Sequence, residues 1–262
     1  MTAEIAAPIS QSLAGKRGLI FGVANAQSIA AGCARAFVAG GAKIACTYLN
    51  DKALPFVRTV TDALGGVLLL PCNVETPGEM EHAFAETYLE FGAIDFVLHA
   101  VAFAPADDLK GRLVDCSAHG FALGMDVSCH SFLRMARLAE PLMPAGGCLL
   151  TVTFFGSERV VPNYGLMGPV KAALESAVRY VAVELAPQGI RVNALSPAAI
   201  ATRAAGGIAH FDDLLAAEAA GPMHRMVSAE DVGALGAFLV GDGARHITGA
   251  VIPIDGGQHL TG

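Results

Sequence analysis

The chain has 262 residues, 53% of them hydrophobic and only 16% charged. That length supports one large domain or two small ones. Such an apolar composition suits a central sheet buried on both faces, or an oligomer with apolar contact surfaces. A formal net charge of -7 argues against a nucleic-acid or anionic-membrane surface. Six cysteines, at 33, 46, 72, 116, 129 and 148, form no C-x2-C pair and read as buried thiols of a reducing cytosol. The first twelve residues have an acid at Glu4 and no basic, apolar leader, so they read as a tail and not a signal peptide. No apolar run is long enough to span a bilayer. A cytoplasmic protein with no membrane segment is expected.

In chain order, apolar strand-like runs fall at 17–23, 43–49, 67–74, 94–102, 148–155, 191–195 and 250–254. Helical patterns lie between them. The first, 28–39, opens on a capping serine, Ser28, and stops at Gly40-Gly41. The next, 77–91, carries Met80, Phe84 and Tyr88 at four-residue spacing. A long one, 118–142, is apolar along one side, and 171–185 and 229–239 complete the set. Strand and helix alternating in this way predict a parallel α/β sheet with right-handed crossovers. The fold class is α/β: a single Rossmann domain over 13–262, with a doubly wound parallel sheet of about seven strands flanked by helices.

In such sheets the ligand binds at the carboxyl ends of the strands. The first strand runs into Gly22 and a long turn to Ser28, not G-x-G-x-x-G. Gly22 permits a strained backbone angle, and the helix N-terminus offers N–H groups to a diphosphate. An ordinary capped strand-to-helix turn explains the same residues equally well. The second strand ends Tyr48-Leu49-Asn50-Asp51-Lys52, with no arginine to clamp a 2′-phosphate. This favours NADH over NADPH. Further on, Tyr164 precedes Lys171 by seven residues, about two helical turns, so one helical face can carry both. A neighbouring ammonium is expected to lower the phenol's pKa and ease proton donation. The histidines at 99, 119, 130 and 210 lack metal-ligand spacing, and no metal is expected. His99 reads as a strand-end histidine with a local partner. Glu158 and Arg159 read as polar groups closing the loop before Tyr164.

Several motifs then fall into place together. They are Gly22 through Ser28-Ile29-Ala30, Thr47-Tyr48 with Asn50-Asp51-Lys52, Cys72-Asn73-Val74, and His99 through Phe103-Ala104-Pro105. Gly156 with Glu158-Arg159, Pro162-Asn163-Tyr164, Met167-Gly168 and Lys171 follow, then Arg191-Val192-Asn193-Ala194 and Asp255-Gly256-Gly257. From Leu13 to about Gly257 this series resembles the enoyl-[acyl-carrier-protein] reductases of bacterial type II fatty-acid synthesis, a divergent branch of the short-chain dehydrogenase/reductases. In the ordinary branch the tyrosine lies four residues before the lysine, where this chain has Met167.

The resemblance implies hydride transfer from NADH to the β-carbon of a trans-2-enoyl thioester carried on acyl carrier protein. Tyr164 would hydrogen-bond the thioester oxygen, and Lys171 would hold the nicotinamide ribose. It also implies a cofactor site lined by Gly22, Ser28, Ile29, Asn73, Val74, Val101, Ala102, Val127, Lys171, Ile200 and Thr202. Phe103, Leu109, Tyr164, Met167, Ile208 and Phe211 would line an acyl pocket. A mobile substrate lid over 199–220 and a homotetramer are further implications. Departures from the family pattern are Phe154 in place of a second tyrosine, Asn73 for an aspartate, Ala102 for a glycine, and Pro169 between Tyr164 and Lys171. Two alternatives therefore stay open: a diverged reductase of another enone, enoyl thioester or carbonyl, and a non-catalytic nucleotide-binding sensor.

Overall fold

A computed structural model describes residues 12–202 and 211–261. Its strands are β1 (Arg17–Phe21), β2 (Lys43–Tyr48), β3 (Leu68–Pro71), β4 (Phe96–His99), β5 (Gly147–Val152), β6 (Ile190–Pro197) and β7 (Val251–Ile254). They form one sheet in the order β3-β2-β1-β4-β5-β6-β7, and every pairing is parallel. Strand order reverses between β1 and β4, which makes the gap beyond their carboxyl ends the topological switch point. Each strand falls where the apolar runs place it. The first five runs outlast their ladders, because residues such as Val23, Val74 and Val101 leave the sheet at its carboxyl edge while remaining wholly or partly buried.

The helices are α1 (Ile29–Ala39), α2 (Leu54–Ala63), α3 (Glu79–Phe91), α4 (Ala106–Leu109), α5 (Ala118–Met125), α6 (Ser131–Ala139), α7 (Met167–Leu185), α8 (Phe211–Ala219), α9 (Ala229–Val240) and α10 (Gln258–Thr261). On one face of the sheet, Phe84 of α3, Phe132 of α6 and Leu174 of α7 pack on Leu19, Phe21 and Val97. On the other, Phe37 of α1, Val57 of α2 and Val232 of α9 pack on Ile20, Ile44 and Leu98. Phe37 meets Phe96 edge-on, with ring centroids 4.9 Å apart. Each such fully buried ring contributes roughly 1.5–3 kcal/mol. Double-sided burial explains why the central strands read as unbroken apolar runs.

Three expectations change. The pattern over 118–142 is not one helix: a π-helical turn, Asp126–His130, separates α5 from α6, and a 3-10 turn, Glu140–Leu142, follows. Ser131 Oγ donates to the Val127 carbonyl at 2.6 Å, a back-bond that bends helices. Helix α2, unread in the sequence, carries only Val57, Val60 and Thr61 as buried residues, too sparse a stripe to stand out. Finally, α7 begins at Met167, so Tyr164 lies in the preceding turn and not on the helix. The turn uses left-handed backbone at Asn163 (φ 63) and Gly165 (φ 50). Pro169 is thereby the third residue of α7, in the first turn, where its missing N–H costs no helical hydrogen bond.

Candidate active site

The expected cofactor residues gather along the carboxyl edge. Gly22 follows β1 at φ 100, and a Cβ there would fall 2.1 Å from the Ala100 carbonyl oxygen. Glycine is thus required for β1 and β4 to converge, whatever binds beyond them. Ser28 caps α1, accepting from Ala31 N at 3.3 Å, and Ile29 is the first helical residue. Asn73 and Val74 follow β3, and Val101 and Ala102 follow β4. Asn73 is tied down locally: its N–H donates to Glu79, and its Oδ1 accepts from Glu75 N at 3.0 Å. Val127, in the π turn, is buried. Ile200 lines a cleft of about 350 Å³ together with Ala26, Gln27, Leu215 and Val227. Thr202 closes the described segment after β6, donating its N–H to the Ile200 carbonyl at 2.7 Å.

Tyr164 and Lys171 converge on the end of β5 from different elements. Lys171 projects from α7, is buried, and donates from Nζ to the carbonyl of Val152, the last residue of β5, at 2.7 Å. The Tyr164 ring, also buried, packs on Phe154 just beyond β5, with centroids 4.8 Å apart. It also covers Gly156, where a Cβ would meet the ring at 2.6 Å. Burial pulls the Lys171 ammonium down to about 8, opposed by the Glu175 carboxylate one turn along α7. The expected effect on the phenol is reversed. Burial, with Glu175 adding to it, pushes Tyr164 above its ordinary value. The phenol is held as a neutral hydrogen-bond donor rather than poised to ionise.

Two polar networks support this pair. His99 is fully buried; its Nδ1 meets Thr151 Oγ1 at 2.8 Å and its Nε2 meets Ser131 Oγ at 2.9 Å. Because Ser131 spends its proton on Val127, the network assigns the Nε2–H tautomer, with Thr151 donating to Nδ1. Burial and the Lys171 charge drive the imidazole down to about 3, so it is a neutral structural link, as its strand-end position suggests. In the second network Glu175 Oε1 accepts from Thr153 Oγ1 and from Ser157 Oγ, each at 2.6 Å. Glu175, Thr153 and Ser157 are not picked out by motif reading. The one available signal was an acid four residues after the lysine, which a helix returns to the same face. Glu158 and Arg159 are exposed.

A small apolar cluster adjoins the phenol. Tyr164, Met167, Leu166 and Val170 pack with Leu109, Phe154, Phe155 and Leu214. Leu109, Tyr164 and Met167 of the expected acyl residues therefore come together. Phe103 is half exposed outside this cluster, its backbone clamped by Ser128, which accepts from Phe103 N at 2.9 Å. Phe211 opens α8 and lies outside the cluster; from that helix Leu214 makes the contact. Ile208 falls among residues 203–210, outside the described residues, as does the centre of the expected lid. Among the described residues no cluster of His, Cys, Asp or Glu could hold a metal.

A doubly wound parallel sheet with a buried phenol, a buried ammonium and an apolar cluster at its carboxyl edge defines an oxidoreductase domain of Rossmann type. A family profile described as Enoyl-(Acyl carrier protein) reductase matches residues 22–259. The enoyl-[acyl-carrier-protein] reductase [NADH] 1 of Rhizobium meliloti is 43% identical over 249 residues, covering 95% of this chain and 92% of the relative. Among solved structures, the reductase of Anaplasma phagocytophilum in complex with NAD is similar at TM-score 0.93 and 42% identity, covering 97% of each chain. The Bacillus cereus reductase with NADP+ and indole naphthyridinone is similar at TM-score 0.93 and 42% identity, covering 96% of this chain and 99% of that one. The chain belongs to the enoyl-[acyl-carrier-protein] reductase family.

Proposed function

We propose that this protein reduces the trans-2 double bond of an enoyl thioester, carried on acyl carrier protein, with NADH during fatty-acid elongation. One observation carries the reading: Tyr164 and Lys171 reach the end of β5 between the switch-point edge and an apolar cluster. The edge fits a dinucleotide. The first turn of α1 presents helix N–H groups beside a cleft. When bound, the nicotinamide supplies a hydride for the β-carbon. Tyr164 then donates a hydrogen bond to the thioester oxygen, where negative charge grows in the transition state. Burial keeps that phenol protonated, so it acts as a donor throughout. Lys171 adds positive potential and offers its remaining N–H donors to ribose hydroxyls. The apolar wall of Leu109, Phe154, Phe155 and Met167 accepts the acyl chain and excludes water.

NADH is favoured because the turn after β2 carries exposed Asp51 and Lys52 and no arginine. A cytoplasmic homotetramer is part of the same proposal. All six cysteines are free, none of the described helices is long and apolar enough to cross a membrane, and α5 to α7 expose large apolar side chains. The test is NADH oxidation with a trans-2-enoyl thioester. Turnover is expected. Turnover only with other enones or carbonyls would replace the substrate, and NADH binding without turnover on any acceptor would leave a sensor. Pro169, in the first turn of α7, leaves the helix unbroken, which supports the catalytic reading over the sensor.

A further inference from the structure

Glu175 is a buried carboxylate with no salt bridge among the described residues. Burying such a charge is costly unless hydrogen bonds and a nearby opposite charge compensate it. Both are provided. A single oxygen, Oε1, takes the hydroxyls of Thr153 and Ser157, each at 2.6 Å. Those two residues bracket Phe154 and Gly156, the surface on which the Tyr164 ring rests. Thr153 also follows Val152, whose carbonyl receives the Lys171 ammonium. One carboxylate thus ties α7 to the segment that seats both groups assigned to the chemistry.

We propose that Glu175 is a positioning residue for the reduction. Its bonds to Thr153 and Ser157 fix the platform under Tyr164, and it lies one helical turn from Lys171 along α7. This inference rests on the reading of Tyr164 and Lys171 given above. The charged and titratable groups around the ammonium are Glu175 from α7, Cys129 from the π turn and His99 from β4. His99 is neutral, and burial holds the Cys129 thiol above its ordinary value. Glu175 is therefore the negative charge that opposes the loss of the Lys171 proton through burial. It acts on the phenol in the same sense, opposing ionisation.

The decisive variant is Glu175→Gln, which keeps one oxygen as acceptor for both hydroxyls and replaces the charge with a neutral amide. Rates are measured across pH with NADH and a trans-2-enoyl thioester of coenzyme A. The alkaline limb of the kcat/KM profile for NADH is expected to move down by about one pH unit, the scale of a lost close counter-charge. A profile superimposable on the wild type overturns the proposal. Should Glu175→Gln fail to fold, Ser157→Ala decides. It removes one bond at a part-buried site, and a roughly tenfold loss in kcat with unchanged NADH affinity is expected, on the order of one hydrogen bond to a charged group. Wild-type kcat in Ser157→Ala would then sink the idea. Tyr164→Phe and Lys171→Ala run alongside: wild-type turnover by those two locates the failure in the underlying reading and not in Glu175.

Discussion

At the scale of single residues, the phenol and the ammonium are set by burial in opposite directions. Tyr164→Phe removes a donor aimed at developing charge, so kcat should fall by an amount corresponding to about 3–4 kcal/mol while NADH affinity is nearly retained. Wild-type turnover in that variant would take Tyr164 out of the mechanism. Lys171→Ala should weaken both NADH binding and turnover; a titration with unchanged affinity would leave the lysine a structural role. Because Lys171 titrates at about 8 rather than near 10.5, NADH affinity should decline as pH rises through that value. Stability has the opposite sign: between about 8 and 10.5 the unfolded chain holds the proton that the folded one has lost, so this group makes stability rise with pH there. His99 gives a separate test. Its folded value, about 3, lies below its ordinary 6.5, so the unfolded state binds the extra proton between them. Stability should drop as pH falls through 6.5 toward 3, by up to about 1.4 kcal/mol per unit from this group. Urea midpoints against pH should show a shallower acid slope in His99→Gln; identical slopes would mean the ring protonates without cost.

At the scale of elements, the amino end of α1 is placed by its contact with α9. A Cβ on Gly32 would fall 2.2 Å from the Ala229 carbonyl oxygen, and one on Gly233 would fall 2.5 Å from the Gly32 carbonyl oxygen. The two helices touch backbone to backbone. Gly233→Ala must push them apart, and such overpacking costs roughly 1–3 kcal/mol. Because α1 is also proposed to present its N–H groups to the cofactor, the same variant should lose NADH affinity along with thermal stability. A lower melting temperature with unchanged affinity would separate the two. The π turn has a comparable purpose on the other face. It delivers Ser128 to the Phe103 backbone and is followed at once by Ser131, which meets the His99 ring. An unbroken helix over 118–142 would put these hydroxyls out of phase.

At the scale of the whole molecule, the apolar excess of the sequence is only partly spent on the two cores. On α7, Tyr180 is 71% and Val183 76% exposed, and Phe121 and Leu133 are also exposed. The helix that contributes Leu174 and Val178 to one core thus carries a second apolar face. Adjacent apolar exposure of this kind marks a contact surface. Sedimentation velocity is expected to show an assembly, and Tyr180→Glu with Val183→Glu should shift it toward monomer. A monomeric wild type at micromolar concentration would contradict the proposed tetramer.

The order of elements was legible because a parallel sheet buried on both faces leaves apolar runs whose periodicity and length depend on local sequence. The Ser28 cap and the strand-end setting of His99 were legible for the same reason: each is a rule about near neighbours. Tertiary structure decided the rest. Seven-residue spacing suggested one helical face for Tyr164 and Lys171, but left-handed backbone at Asn163 and Gly165 puts the tyrosine ahead of the helix. A lysine nearby suggested a lowered phenol pKa, yet burial and Glu175 raise it. Desolvation depends on every element that closes over a group, and Glu175 reaches Thr153 and Ser157 only because α7 packs beside the end of β5. Sequence fixes which groups exist and how far apart they are along the chain; the dielectric around them, and which of them share it, belong to the folded molecule.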